Sequence, residues 1–266
     1  MNVVARPIFL LCAFLGILLL AGLVVVMALG TLGSFGQTPG PPLSLSALAG
    51  TTFLTSFIGL AITVPIGLFA ALYLSEFASL RIRGWLEEPL HFFAHVPPVV
   101  YGYFAVATLL PTLARLVPGL DAYPALNAGI ALAGMLVPVF LDKAQAAITA
   151  VPGHLRDAAC ALGAGKWTTA WFVVVPAARA RLLAALVLAA SRAVGETMLV
   201  LVVFTAQTPK GAVRPDTLTT FFVPNQGGVW LHQVPKEFFL VGAVLLILTF
   251  ALDTARLRLD EGSDRP

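Results

Sequence analysis

The chain has 266 residues, 59% of them hydrophobic and 11% charged, with 16 Lys and Arg against 13 Asp and Glu for a formal charge of +3; its mean hydropathy is +0.92. Soluble domains run at roughly 45–50% apolar and about 25% charged, so this composition excludes a water-soluble fold and leaves lipid as the solvent. So small a net charge also gives no footing for a nucleic-acid partner, and in a membrane protein it records loop bias instead.

Six apolar runs, at 7–30, 50–74, 89–113, 126–141, 182–206 and 238–255, are separated by polar, Pro-rich or Gly-rich stretches. A helix rises about 1.5 Å per residue and the hydrocarbon layer is roughly 30 Å thick, so each spanning helix needs about 20 residues. Lipid cannot satisfy open backbone groups, and the alternating segments of a barrel are missing. The expected fold is therefore all-α, a polytopic bundle of six transmembrane helices.

The first run, behind Arg6, is longer than the roughly 7–15 residues of a secretory signal core and reads as a retained anchor with a cytoplasmic N-terminus. With the Gly- and Pro-rich loop after it, it makes up region 1–49. Cys12 in this run and Cys160 far downstream give no disulfide framework and no metal cluster. The third run contains Pro97-Pro98, which removes two backbone donors, so the helix must kink or break there. A break would present a half-helix N-terminus able to favour an anion, although an ordinary proline kink is the plainer reading of the residues alone. The fourth run is short and is expected to continue past Asp142 into water. An N-inside topology puts eleven Lys and Arg in the cytoplasm, against Arg115, Lys210, Arg214 and Lys236 outside, with Arg192 left within the fifth run. That bias orients the chain with both termini, including a tail at 259–266, in the cytoplasm.

Between the fourth and fifth runs, 152–165 places Leu155, Ala158, Ala159 and Leu162 at i, i+3, i+4 and i+7, the pattern of an amphipathic helix outside lipid. The neighbouring Gly163-Ala164-Gly165-Lys166-Trp167 is no nucleotide loop, because Trp167 follows the lysine where a hydroxyl is required and Cys160 stands where the first glycine is needed. In the fifth run Arg192 and Glu196 are four apart on one helical face. Intramembrane charges cost about 2.5–3.5 kcal/mol each on insertion scales and are kept where they face protein or a water-filled path, so the pair reads either as a lining of an anion pathway or as a buried pair fixing register. Ala185, Ala189 and Ala193 form a small-residue ladder that suits a seam with a second subunit or with another helix of this chain. His91 and His95, one turn from Glu88, could ligate metal or haem, but the other histidines, His154 and His232, fall in loops, so polar boundary residues are the simpler account.

The cytoplasmic stretch resembles the signature of ABC-class importer permeases, which reads Glu-Ala-Ala, three residues, Gly, nine residues, Ile-x-Leu-Pro. It stands here as Asp157-Ala158-Ala159, Gly163 and Val173-Val174-Val175-Pro176, with every spacing kept. Tyr73-Leu74-Ser75-Glu76-Phe77, 96–104 around Tyr101-Gly102-Tyr103, and Ser191-Arg192-Ala193-Val194-Gly195-Glu196-Thr197-Met198 are similar to hallmark stretches of the phosphate-specific permeases, closer to the PstC type than to the PstA type. The resemblance covers about 50–204. It implies a MetI-like permease domain over 50–258, with 152–165 as a coupling helix that docks on an ATPase through Asp157, Ala158, Ala159, Gly163 and Pro176. It implies a substrate pathway through Arg192, Glu196, Thr197, Tyr101 and Tyr103. It further implies a second homologous permease, a pair of ATPase subunits carrying ATP and Mg, an external phosphate-binding protein, no cofactor on this chain and no catalysis by it. Rival readings are a permease for molybdate or sulfate, a secondary transporter, and a haem-bearing electron-transfer subunit.

Overall fold

The computed structural model describes residues 45–119, 123–208, 216–220 and 237–263, with helical residues also at 14–18, 21, 22, 24–26 and 29. The anchor expected at 7–30 lies mostly outside the described residues. All the described regular structure is helical. Among the described residues, four helices are long and apolar enough to cross a membrane, and a bent pair qualifies as a fifth.

Helix α1, Leu45–Leu72, passes into a π turn at Tyr73–Phe77. Its buried positions include Thr55, Gly59, Thr63, Gly67 and Ala71, a small residue every fourth place. That ladder lets α4, Pro124–Thr149, approach closely. A Cβ on Gly59 would lie 3.2 Å from the Leu132 side chain, and one on Gly129 would lie 2.7 Å from Ile58 and 3.0 Å from the Thr55 carbonyl. The α1 and α4 backbones are thus in near contact, and α4, the most buried of the spans, is the axle of the bundle. It runs through Asp142 without interruption, as its sequence predicts.

The run at 89–113 is not one span. Helix α2, Leu80–His95, opens on Ser79, whose hydroxyl accepts from the Ile82 N–H at 3.4 Å, and buries none of its side chains. Polar contacts pin it to α4. Glu87 accepts from Arg83 Nε at 2.6 Å and from the Gln145 side-chain amide, while His91 Nδ1 lies 3.4 Å from Asp142 Oδ1. The Arg83 guanidinium beside Glu87 holds its carboxyl below the usual carboxylate range, so the contact stays charged. His95 Nδ1 donates to the His91 carbonyl one turn back. The chain turns extended at Val96 and Pro97, and the helix long and apolar enough to span is α3, Pro98–Leu116. Of the kink and the break that the prolines leave open, the chain takes the break, and the span starts nine residues later than the apolar run does.

The run at 182–206 is divided as well. After α5, Gly153–Ala161, helix α6, Lys166–Ala177, meets α7, Arg179–Gly195, at 71°. The elbow follows Pro176. Helix α7 ends at Gly195, and α8, Met198–Gln207, begins after the two intervening residues Glu196 and Thr197. Ala185, Ala189 and Ala193 are buried inside this chain, the first two among Ala71, Phe140 and Ala144, so the alanine ladder is an internal seam. Helix α9, Glu237–Ser263, packs along α7.

Candidate functional site

The two broken helices meet. At the first break the Tyr101 hydroxyl donates to the Phe93 carbonyl at 2.8 Å, beside the Val96 N–H that closes the helix on the same oxygen at 3.2 Å. At the second, Glu196 leaves helical geometry, with φ −75° and ψ 120°. Its carboxylate then turns forward, where Oε1 accepts the Leu199 N–H at 3.1 Å and caps α8. The first turns of α3 and α8 lie against each other through Gly102, where a Cβ would sit 3.3 Å from the Leu199 Cα and 3.2 Å from the Val202 Cβ. A larger residue there would push the two helices apart by a few tenths of an ångström.

This corrects the expected geometry of the charged pair. Arg192 and Glu196 do not share a continuous helical face, because the helix ends between them, and they form no ion pair. Arg192 sits half-buried in the last turn of α7, close enough for its charge to act on both Tyr101 and Glu196. Thr197 stands half-buried at the break itself. Tyr101, Arg192, Glu196 and Thr197 are therefore gathered around the paired breaks, whereas Tyr103 is 70% exposed on the surface of the chain.

A second set of residues escaped the sequence reading. The stretch Asp216-Thr217-Leu218-Thr219-Thr220 reads as part of an open loop, yet Thr217 to Thr220 are all buried. The Leu218 N–H donates to Thr52 Oγ1 at 2.9 Å, the Thr217 N–H to Thr220 Oγ1 at 2.7 Å, and the Thr219 hydroxyl to the Glu196 carbonyl at 3.0 Å. The loop thus returns to the bundle and satisfies the carbonyl freed at the second break. The signal was the density of threonines, whose hydroxyls replace missing backbone partners. Thr219→Val, nearly isosteric, should leave that buried carbonyl unpaired and cost about 1–3 kcal/mol. A thermal midpoint clearly below that of Thr112→Val, whose hydroxyl bonds only its own helix at Thr108, is the expected result for the purified protein.

The cytoplasmic signature folds as a short helix with a built stop. Helix α5 is shorter than the expected 152–165, because the Gly163 N–H donates to the Cys160 carbonyl and the Ala164 N–H to the Ala159 carbonyl, with Gly163 at φ +84°. This is the Schellman closure that favours glycine. The predicted apolar stripe splits in two. Ala159 is buried and Leu155 packs on the core, while Asp157, Ala158 and Leu162 face outward, Leu162 at 90% exposure. Pro176 is exposed at the α6–α7 elbow, and Val174, two residues earlier, is fully buried beneath it.

Residues 63–261 match the family described as binding-protein-dependent transport system inner membrane component. Among relatives, the phosphate transport system permease protein PstC of Xylella fastidiosa is 28% identical over 230 residues, covering 78% of this chain and 71% of the relative. The probable ABC transporter permease protein YqgH of Bacillus subtilis is 30% identical over 203 residues, covering 75% of this chain and 66% of the relative. Among solved structures, the inward-facing MetNI methionine ABC transporter superposes with a TM-score of 0.58 at 21% identity, over 86% of this chain and 100% of that one. An amino acid ABC transporter crystallised with histidines gives a TM-score of 0.57 at 18% identity, over 82% and 92% of the two chains. The fold is thus that of the MetI-like importer permeases.

Proposed function

Since this chain belongs to the family of binding-protein-dependent transport system inner membrane components, a multi-pass membrane transport component by descent, we propose that it is one half of the pore of an ATP-driven importer of inorganic phosphate. The observation that carries the reading is the grouping of Arg192 with Tyr101, Glu196 and Thr197 at two apposed helix breaks, in a chain whose relatives include phosphate permeases. A guanidinium at mid-span is what a tetrahedral oxyanion needs in order to shed water, since its planar fork supplies charge and paired donors together. Tyr103, exposed one turn along α3, would face the same anion from the pore side in the assembled complex. Glu196, by capping α8, holds the second break open beside the arginine.

The remaining parts follow the same reading. A second, homologous permease completes the pore, and an external phosphate-binding protein delivers the anion. A pair of ATPase subunits, carrying ATP and Mg, docks on α5 through Asp157, Ala158, Ala159 and Gly163, with Pro176 setting the elbow behind it. This chain binds no cofactor and catalyses no reaction. The bias of basic residues supports cytoplasmic termini, which puts α5 on the side where ATP is found. Rocking of the helices against each other then opens the pathway alternately to the two sides.

Uptake of labelled phosphate at low external concentration, in cells deleted for the gene and restored with it, tests the substrate. Restored phosphate uptake with unchanged molybdate and sulfate uptake is the expected outcome, and restoration of another oxyanion instead would overturn it. Docking is tested at Gly163. A valine there is forced to φ +84°, which costs an L-residue about 1–2 kcal/mol and unravels the end of α5. Copurification of the ATPase should be lost in Gly163→Val and kept in Cys160→Ala, an exposed neighbour.

A further inference from the structure

One arginine ties α5 to two helices of the bundle at once. Arg156 Nη2 and Nε donate to Glu76 Oε1 at 2.8 and 3.1 Å, and Nε also reaches Oε2 at 3.3 Å. Its Nη1 donates to the Val151 carbonyl at 2.6 Å and Nη2 to the Ile148 carbonyl at 3.0 Å. Glu76 lies in the π turn that ends α1, and Ile148 in the last turn of α4. The side chains are only 25% and 14% exposed, so water competes little for them.

We infer that the Arg156–Glu76 pair is the strut that carries displacement of α5 into the α1–α4 unit, and so to the pathway; the inference rests on the reading of α5 as the ATPase-docking element. Helix α5 has two kinds of contact with the rest of the chain. Leu155 and Ala159 rest on the core through apolar surfaces, which permit sliding and fix no direction. The guanidinium fork has fixed geometry, holds a carboxylate and two carbonyls together, and resists both sliding and rotation. Helices α1 and α4 are themselves locked by the glycine contacts at Gly59, Gly67 and Gly129, so a push on their shared end moves both. Both also pack on α7, which carries Arg192. An unbroken mechanical route thus leads from the exposed face of α5 to the paired breaks. Arg156 and Glu76 act in it as positioning residues, remote from the anion.

The test uses the full complex of this chain, its pore partner, the ATPase pair and the binding protein, in liposomes. The readout is phosphate accumulated per ATP hydrolysed. Arg156→Gln and Glu76→Ala should each lower that ratio by about five- to a hundredfold, the span of ordinary coupling between sites, with the ATPase still bound and hydrolysing. The double variant should fall no further than the worse single one, because both remove the same link. A wild-type ratio in either single variant, or losses that multiply in the double, would overturn the strut. Should those variants fail to assemble, Glu76→Gln keeps an acceptor opposite Arg156 and decides by the same ratio.

A wild-type complex that hydrolyses ATP without moving phosphate would defeat the substrate reading alone. The strut is then read from Val100→Cys, in a Cys12→Ser and Cys160→Ser background, at an exposed site beside the first break. Its labelling rate by an impermeant maleimide should change with ATP in the otherwise unaltered complex and stop changing when Glu76→Ala is added. Nucleotide-dependent labelling that survives Glu76→Ala overturns the inference.

Discussion

Gly129→Leu is expected to leave almost none of this protein in the membrane, while Gly134→Ala accumulates like wild type. A side chain at position 129 meets the Ile58 Cβ and Cγ2 at 2.7 Å and, more seriously, the Thr55 carbonyl at 3.0 Å. The isoleucine has little freedom to move, and the carbonyl belongs to the α1 backbone, so α1 must retreat from α4. Overpacking costs about 1–3 kcal/mol where side chains yield, and more where backbone is the obstacle. Retreat also separates the ladder on either side of the contact, in a solvent where close packing takes over from the hydrophobic effect between helices. Gly67→Ala should be milder, since its new Cβ meets the edge of the Phe140 ring, which can turn. Among the described residues, nothing outside its own helix backbone lies within 4 Å of a Cβ on Gly134. Immunoblots of membranes and thermal midpoints of the purified protein give the order, and normal accumulation of Gly129→Leu would contradict the seam.

Arg192→Gln should have the opposite signature, with a complex that assembles in normal amounts and imports almost no phosphate. Arg192 makes no direct ion pair with Glu196, so its loss breaks no hydrogen bond of that carboxylate. Glu196 keeps its bond to the Leu199 N–H, so the second break survives the substitution. What disappears is a positive charge in a poorly hydrated region. Removing one side of a desolvated charged contact costs about 2–5 kcal/mol, which at roughly 1.4 kcal/mol per tenfold corresponds to a loss of roughly thirtyfold to several thousandfold. Arg192→Lys should recover part of it, because the charge returns without the planar fork. Uptake normalised to assembled complex is the measurement, and full uptake by Arg192→Gln would remove the residue from the pathway.

Much of the architecture was legible because its causes are local. Pro97-Pro98 removes two successive backbone donors and marks the place of a kink or a break, and the chain breaks there, whereas the single prolines Pro65, Pro89 and Pro138 stay inside their helices. Gly163 falls where a helix must close in left-handed geometry, and the helix closes there. The uninterrupted course of α4 through Asp142 followed from the apolar length on one side and the helix-forming Lys143 to Ala147 on the other. The second break was not legible for the same reason. No proline marks it, and Arg192 to Glu196 has the i, i+4 spacing of a helical pair, so a local rule pointed the wrong way. What ends the helix is tertiary: Glu196 caps α8 with its side chain and gives its carbonyl to Thr219, twenty-three residues on. The gathering of Tyr101 with Arg192 likewise depends on Gly102, which the sequence marks only as one glycine among 23. The link from Glu76 to Arg156 joins residues from two stretches that had been noted separately, and pairing across 80 positions leaves no trace in a single sequence.

The seam between α1 and α4 also has a consequence for the order of events at synthesis. The ribosome delivers α1 first, then α2 and α3, and only afterwards the helix on which the small-residue face of α1 rests. Until α4 emerges, that face of threonines and glycines lacks the helix it rests on in the finished fold and must wait in the translocon or in lipid. Apolar length suffices for insertion, whereas the fold closes only when the third of these spans arrives, so insertion and folding are separate steps here. A nascent chain halted after α3 is therefore fully inserted as far as it goes and still lacks the core around which the rest is built.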